Sequence, residues 1–411
     1  MPHFSDTHVE SLPFSELAER FGTPLYVYSR AALTQHFLAF QQALSHRPHQ
    51  ICYAVKANAN IAVLNVLARL GAGFDIVSRG ELERVLAAGG MPEKVVFSGV
   101  GKLDHEIERA LAVGIGCFNV ESAFELTQLN SIATGMQKTA NIAIRINPDI
   151  DAQTHPYIST GLKENKFGIP WREAFALYQK ASRMPNINTV GLACHIGSQL
   201  TQLAPFIETF DQMYAYYLAL KNAGILIKHI DLGGGLGVCY QQEIPPTPQA
   251  YVAALLARMT DPSVEILISP GRAIAANAGV LLTRVIHLKQ VADKNFAVVD
   301  AAMNDLIRPA LYQIEHAIVP VNTQSNAPKR RYDIVGPICE TGDFLGKNRD
   351  LALEPGDLLT IRAAGAYGFS MSSHYNSRPS AAEIMVDQAQ AYVVRDRETL
   401  ASLFAGEHCL P

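Results

Sequence analysis

Several things this chain lacks narrow it before any motif is read. It has no run of basic residues, and 34 Lys and Arg against 38 Asp and Glu leave a formal charge of −4. That argues against a nucleic-acid partner. No apolar stretch reaches the roughly 20 residues needed to cross a bilayer. The opening Met1-Pro2-His3-Phe4-Ser5-Asp6 has neither the basic nor the apolar region of a signal peptide, so no leader is expected. Cysteine is sparse, six residues at 52, 117, 194, 239, 339 and 409, and none forms a CxxC. That scatter predicts reduced thiols in a cytoplasmic protein, most of them core fillers. Cys339 stands apart, beside an acid in a loop bounded by Gly and Pro. No GxxxxGK[ST] occurs, and Gly233-Gly234-Gly235-Leu236-Gly237-Val238 misses the third glycine of GxGxxG. Internal repeats and low-complexity linkers are absent too.

What is present suits a well-buried enzyme, 48% hydrophobic and 18% charged. A length of 411 residues predicts two domains. Short apolar runs recur at 51–55, 74–77, 95–97, 116–120, 142–146, 190–195, 227–232 and 265–268. Amphipathic helical stretches such as 61–70, 81–88, 121–130 and 206–223 lie between them, and a last helix is expected near 273–279. Eight strands alternating with helices is the count of a (β/α)₈ barrel rather than a doubly wound sheet. After about residue 280 the text becomes strand-like, at 280–288, 296–299, 332–335, 357–362 and 391–395, with little helical period. The run 24–28 is expected to pair with these strands. The predicted organisation is therefore a barrel over 36–278 and a discontinuous β-rich domain from 1–35 and 279–411.

Barrel active sites form at the C-terminal ends of the strands. Here those ends carry Lys56, Asp75, Ser98-Gly99, Asn119, Arg145, His195-Ile196-Gly197-Ser198, Gly233-Gly234-Gly235 and Ser269-Pro270-Gly271-Arg272. Lys56 ends an apolar run, where its ammonium is expected to be partly desolvated and turned into a nucleophilic amine. The loops after strands seven and eight are the usual phosphate site of this architecture. Glycines there let backbone N–H groups approach phosphate oxygens, and Arg272 adds charge. A glycine-rich turn alone is weak evidence. Together with a lysine amine and a ring-sized barrel mouth, it suggests pyridoxal phosphate held as a Schiff base.

The motifs YAVKAN (53–58), FDIVSRGELE (74–83), HIGSQ (195–199), DLGGGLG (231–237), PGR (270–272), MNDLIRPALY (303–312), CETGD (339–343) and GAYGFSMSSHYNSRP (365–379) occur in this order. The chain resembles, over nearly its whole length, the diaminopimelate decarboxylases, a family of fold-type III pyridoxal-phosphate enzymes. The resemblance implies that Lys56 carries the cofactor and that His195 stacks on its ring. It implies that Asp75 orients Lys56 or its neighbours, that Ser198, Gly234, Gly235, Gly271 and Arg272 surround the phosphate, and that Tyr367 contacts cofactor and substrate. Arg272, Arg308 and Tyr312 resemble the residues that hold the substrate's distal carboxylate, a task for which bidentate guanidiniums suit. Glu340 would take the distal ammonium and Cys339 would donate a proton to the carbanion. In the family these last two come from the partner subunit, which implies a homodimer with composite sites.

One departure concerns Ser269, where the family usually has Glu before Pro-Gly-Arg. A carboxylate there keeps the pyridine nitrogen protonated, which a hydroxyl cannot do comparably. Slower turnover is therefore expected unless another acid approaches. The leading reading is decarboxylation of meso-diaminopimelate to L-lysine. Its rivals are a decarboxylase of ornithine, arginine or lysine, which would not need two arginines, an alanine-racemase-like activity, and a pyridoxal-phosphate carrier or impaired homologue.

Overall fold

All eight apolar runs form strands. His49–Ala54, Gly73–Ile76, Val95–Phe97, Cys117–Val120, Ala140–Ile146, Ile187–Cys194, His229–Asp231 and Glu265–Ile268 pair in parallel, each with the next. The eighth pairs with the first, Leu267 opposite Gln50, and closes the barrel. This computed structural model describes residues 3–151, 160–161, 165–240, 242–322 and 325–411. The chain divides into two units. The barrel unit comprises Thr34–Val238 and Ile244–Ile274; the β-rich unit comprises Met1–Leu33, Cys239–Glu243 and Ala275–Pro411.

Inside the barrel, residues from six of the eight strands meet in one buried cluster: Cys52, Val96, Cys117, Ala143, Val190, Ala193 and Leu267. Small side chains dominate because eight strands converge on a narrow interior. Cys52, Cys117 and Cys194 are buried, whereas Cys239, Cys339 and Cys409 are exposed, so only half of the cysteines fill core.

The helices outside the barrel begin where the sequence supplies caps. Ser78 accepts a hydrogen bond from the Glu81 N–H, and Ser122 accepts one from the Glu125 N–H. Each glutamate then turns back, Glu81 to the Val77 N–H at 2.7 Å and Glu125 to the Glu121 N–H at 2.9 Å. Two Ser-x-x-Glu sequences thus start two helices in the same way, each directly after a barrel strand. The expected helix near 273–279 is one short turn, Arg272–Ala275, continued as a 3₁₀ turn over Ala276–Ala278. The helix Arg30–Leu44 before the first barrel strand was not expected.

In the β-rich unit the run near 24–28 forms Leu25–Ser29, all five residues buried. It pairs antiparallel with Gly279–Val291 and parallel with Ala382–Asp387, inside a nine-stranded sheet. Gly279–Val291 is long enough to serve two neighbourhoods. Its first half pairs with Leu25–Ser29 and Leu358–Ile361, and beyond an irregularity at Val285/His287 it pairs with Lys294–Val299. The strands Ile318–Pro320, Phe344–Leu351 and Ala382–Asp387 escaped the sequence reading.

Candidate active site

The first barrel strand stops at Ala54, and a 3₁₀ turn over Val55–Ala57 carries Lys56 past the rim. Lys56 is exposed between buried Val55 and Ala57. The expected partial desolvation is therefore not found, because the turn lifts the side chain clear of the packed interior. Its amine is reachable, and two carboxylates feel its charge. Burial pushes the Asp75 carboxyl above its usual range, opposed first by Lys56 and then by the Ser98 hydroxyl. Glu81 is pushed up to about 7 by burial, with Asp75 adding to the rise and Lys56 opposing it. The hydrogen bond Asp75 accepts comes from Ser98 Oγ at 2.6 Å. Glu81 was missed by the sequence reading, although its place in Ser-x-x-Glu on the turn after Asp75 was visible.

The loops after strands six and seven are stitched together. Gln199, at a left-handed φ of 63°, donates its amide to the Val238 carbonyl at 2.7 Å and accepts the Val238 N–H at 3.1 Å. The Leu200 N–H donates to the Gly235 carbonyl and the Gly237 N–H to the Leu200 carbonyl, both at 2.9 Å. His195 Nδ1 accepts the Gly234 N–H at 3.3 Å. Burial, then the Lys56 and Arg145 charges, hold the imidazole well below its usual pKa. It is neutral, with its proton on Nε2.

Two of the glycines are dictated by space. A Cβ on Gly234 would lie 2.3 Å from the Ser269 carbonyl oxygen, and one on Gly271 would lie 3.0 Å from the Ala57 Cβ. The loop after strand seven thus packs on the backbone of the loop after strand eight, and that loop on the turn that carries Lys56. Among the described residues the Gly235 and Gly271 N–H groups have no acceptor within the chain. Arg272, 4% exposed, donates to Ser198 Oγ through Nη2 at 2.9 Å and Nε at 3.3 Å. A buried guanidinium, its neighbour Gly271 and the Gly235 of the preceding strand's loop both offering an N–H without an acceptor, is a chemical match for a phosphate. Ser269, half-buried, gives its N–H to the Gly233 carbonyl at 2.8 Å.

Beneath the mouth lies a layer of buried charge. Arg145 meets Glu121 at 2.6 Å, and Glu121 also accepts the Gly99 N–H at 3.1 Å and the Gly168 N–H at 2.9 Å. Lys102 meets Glu125 at 2.7 Å and donates to the Gly99 and Asn119 carbonyls. Asp231, on the seventh strand, is raised to about 6 by burial and then by the Asp75 charge. The Asp-x-Gly spacing signalled it, since its carboxylate accepts the Gly233 N–H at 2.9 Å in a tight turn.

In the β-rich unit, Arg308 opens the short helix Arg308–Tyr312 and is 1% exposed. The rings of Tyr240, Tyr312 and Tyr367 flank its guanidinium at 5.5, 5.5 and 5.7 Å, and Nη2 donates to the Tyr240 hydroxyl at 3.3 Å. Tyr367 has a φ of 57°, a costly backbone state for an aromatic residue. Packing on both sides holds it there, because a Cβ on Gly365 would lie 2.1 Å from the Ala275 carbonyl and one on Gly368 2.5 Å from the Ala364 carbonyl. Asp343 ties the CETGD loop down by accepting the Met303 N–H at 2.7 Å and the Ile338 N–H at 2.9 Å. Cys339 and Glu340 stay exposed at its tip. The Cys339 N–H donates to Asn376 at 2.8 Å and Glu340 accepts from the Tyr375 hydroxyl at 3.1 Å. A cavity of about 580 Å³ separates the end of the helix from the segment after this loop, lined by Gln313, Glu315, Thr341 and Lys347 among others.

A closed parallel barrel with a lysine at its rim, joined to a β-rich unit, is the build of the pyridoxal-dependent decarboxylases, and the chain belongs to that family. The pyridoxal-binding domain of that family matches residues 30–276. Within the family the chain belongs to the diaminopimelate decarboxylases. It is 58% identical to the diaminopimelate decarboxylase of Vibrio cholerae over 98% of this chain and 96% of that one. It is also 58% identical to that of Pseudomonas aeruginosa, over 99% and 98%. The Helicobacter pylori diaminopimelate decarboxylase solved with L-lysine superposes with a TM-score of 0.92 at 42% identity, covering 95% of this chain and 98% of that one. A lysine/ornithine decarboxylase from Vibrio vulnificus, at 23% identity and a TM-score of 0.80, shares the fold.

Proposed function

We propose that this protein binds pyridoxal 5'-phosphate through Lys56 and decarboxylates meso-2,6-diaminopimelate to L-lysine and carbon dioxide, the last step of lysine formation by the diaminopimelate route. The observation that carries this is the 58% identity with diaminopimelate decarboxylases over nearly the full chain. The cofactor, when bound, supplies the sink for the electron pair left as carbon dioxide departs.

The residues divide the remaining work. Lys56 presents a reachable amine, and Asp75 stabilises its positive charge. His195, neutral and with Nδ1 committed to Gly234, offers a flat face for stacking on the ring. Arg272, Ser198, Gly234, Gly235 and Gly271 hold the phosphate. This assignment is supported by the burial of Arg272 and by the two unsatisfied amides.

The β-rich unit supplies recognition. Arg308 and Tyr312, together with Arg272, take the distal carboxylate. A guanidinium sandwiched among tyrosines is preorganised for such a group, and a substrate ending in an ammonium would be repelled by it. Tyr367 contacts cofactor and substrate, Glu340 takes the distal ammonium, and Cys339 donates the proton that replaces the lost carboxylate. The exposure of Cys339 and Glu340 suits delivery to a second subunit in a homodimer, and the scattered, unpaired cysteines suit a cytoplasmic enzyme. Among the described residues no helix is long and apolar enough to cross a membrane.

The test is direct. Purified protein with pyridoxal phosphate is given meso-diaminopimelate or ornithine, and amine product and carbon dioxide are measured. Lysine from the first and no putrescine from the second is the expected result. Turnover of ornithine at a comparable rate overturns the substrate, and absence of both products overturns the activity.

A further inference from the structure

The upper interior of the barrel carries a line of polar side chains of which the roles above use only Asp75. Ser98 Oγ donates to Asp75 Oδ1 at 2.6 Å. Asn119 Nδ2 donates to Ser98 Oγ at 3.1 Å and to Asp231 Oδ2 at 3.0 Å. Asp231 Oδ1 accepts the Gly233 N–H at 2.9 Å. Asp75 lies on the second strand, Ser98 just beyond the third, Asn119 on the fourth and Asp231 on the seventh, so the line crosses the barrel. Asp75, Asn119 and Asp231 are all at least nine-tenths buried.

The donors in this line can point only one way. An amide nitrogen has two protons, and Asn119 spends one on Ser98 and one on Asp231. The Ser98 hydroxyl, having accepted from Asn119, spends its own proton on Asp75. Both carboxylates are therefore acceptors, which favours their ionised forms against the burial that raises them. Each end of the line reaches the site. Asp75 feels the Lys56 charge, and Asp231 pins Gly233, whose neighbour Gly234 bonds His195. A second observation points the same way: Asn119 Oδ1 is buried with no partner. Leaving such an acceptor unpaired is costly, so the side chain is retained for its two N–H groups.

We infer that Asn119 is a positioning residue of the active site, its amide tying the carboxylate beside Lys56 to the carboxylate that pins the Gly233 turn. One hydrogen-bonded string thus sets both the charge environment of the lysine and the shape of the cofactor loop. The inference rests on the cofactor assignment proposed above but not on the identity of the substrate.

The experiment uses the holoprotein of wild type, Asn119→Ala and Ser98→Ala. Three quantities are read: pyridoxal-phosphate affinity by titrating apoprotein, the pH midpoint of the visible absorbance of the bound cofactor, and the thermal unfolding temperature. Asn119→Ala is expected to weaken cofactor binding about tenfold, as for loss of one charge-assisted hydrogen bond. It should also lower the absorbance midpoint by about half a pH unit or more, because an unsupported Asp75 is more readily protonated and stabilises the lysine linkage less. Ser98→Ala cuts only the Asp75 end, so the midpoint falls while the affinity stays within about threefold of wild type. A folded Asn119→Ala protein with wild-type midpoint and affinity overturns the inference, and so does lowered stability with the midpoint unmoved. If Asn119→Ala does not fold, the Ser98→Ala midpoint decides, and an unmoved midpoint overturns it. A wild-type protein that takes up no pyridoxal phosphate overturns the cofactor assignment itself, and the inference falls with it.

Discussion

Gly191 and His229 face each other inside the barrel so closely that a Cβ on Gly191 would lie 2.0 Å from His229 Nε2. The imidazole is 7% exposed, and Nε2 has no partner. Gly191→Ala is therefore expected to destabilise the fold by about 2 kcal/mol, the cost of overpacking a closed interior. Chemical denaturation of the two proteins at pH 7 checks it.

The same pocket makes stability depend on pH. Burial, with the Lys228 charge second, lowers the His229 pKa to about 4. An unfolded chain titrates this histidine near its ordinary value of about 6.5. Between those values the unfolded state takes up a proton that the folded state refuses, so stability falls as pH falls from 6.5 towards 4. His229 costs nothing above that window and up to about 3 kcal/mol below it. Denaturation of wild type and His229→Asn at pH 7 and pH 5 should show an acid-induced loss smaller in the variant by about 2 kcal/mol. Equal losses would mean that His229 is protonated in the fold.

Glu121 holds three partners at once: Arg145 and the N–H groups of Gly99 and Gly168. Glu121→Ala strands a buried guanidinium and is expected to cost about 3–5 kcal/mol. Glu121→Gln keeps an acceptor and should cost less than half of that. Thermal unfolding of the two variants distinguishes the roles, and equal losses would show that the charge alone matters.

Much of this architecture was legible in the sequence because each barrel strand is a short apolar run bounded by a polar or glycine-rich end. Period and punctuation agree there. The strand Phe344–Leu351 was not legible, because only Leu345 and Gly346 are buried and its middle reads Lys-Asn-Arg-Asp. Within the candidate site, Lys56 and Arg272 stand out in the sequence by residue type and by their place after a barrel strand. The supporting layer does not. Ser98 and Asn119 stood at strand ends, yet their partners Asp75 and Asp231 lie 23 and 112 residues away. Strand pairing brings the first pair together and barrel closure the second, and no local pattern encodes either. The position of Lys56 was also misjudged, since the strand ends two residues before it rather than at it.

Arg308 sits among three tyrosine rings, which fixes the plane of its guanidinium. Lysine keeps the charge but loses both the stacking and the bidentate fork. Arg308→Lys should therefore raise the KM for diaminopimelate about tenfold or more while kcat stays within about threefold, the signature of lost binding away from the reacting centre. Steady-state kinetics tests this. A fall in kcat with KM unchanged would move Arg308 from substrate recognition to the chemical step.

Ser269 follows the eighth strand, and its N–H is committed to Gly233. Its hydroxyl is left to meet a ligand, and in the proposed cofactor site a hydroxyl would give the pyridine nitrogen only a neutral hydrogen bond. A carboxylate at that place would give a charge-assisted one, stronger by about 1 kcal/mol or more and worth about tenfold in rate. Ser269→Glu adds that charge to a half-buried position beside backbone that is already close-packed. If the nitrogen is under-protonated in the wild type, kcat rises about tenfold and the bound cofactor's absorbance shifts with it. The shift separates an electronic effect from a steric one, since a clash would lower kcat and cofactor affinity together. An unchanged rate with normal affinity would mean that another acid already serves the nitrogen. The carboxyl group of Asp231, raised to about 6 and accepting from Gly233, is then the next to replace. Asp231→Asn in the Ser269→Glu background should leave turnover nearly unchanged if the introduced glutamate serves the nitrogen, and should lower it sharply if Asp231 still does.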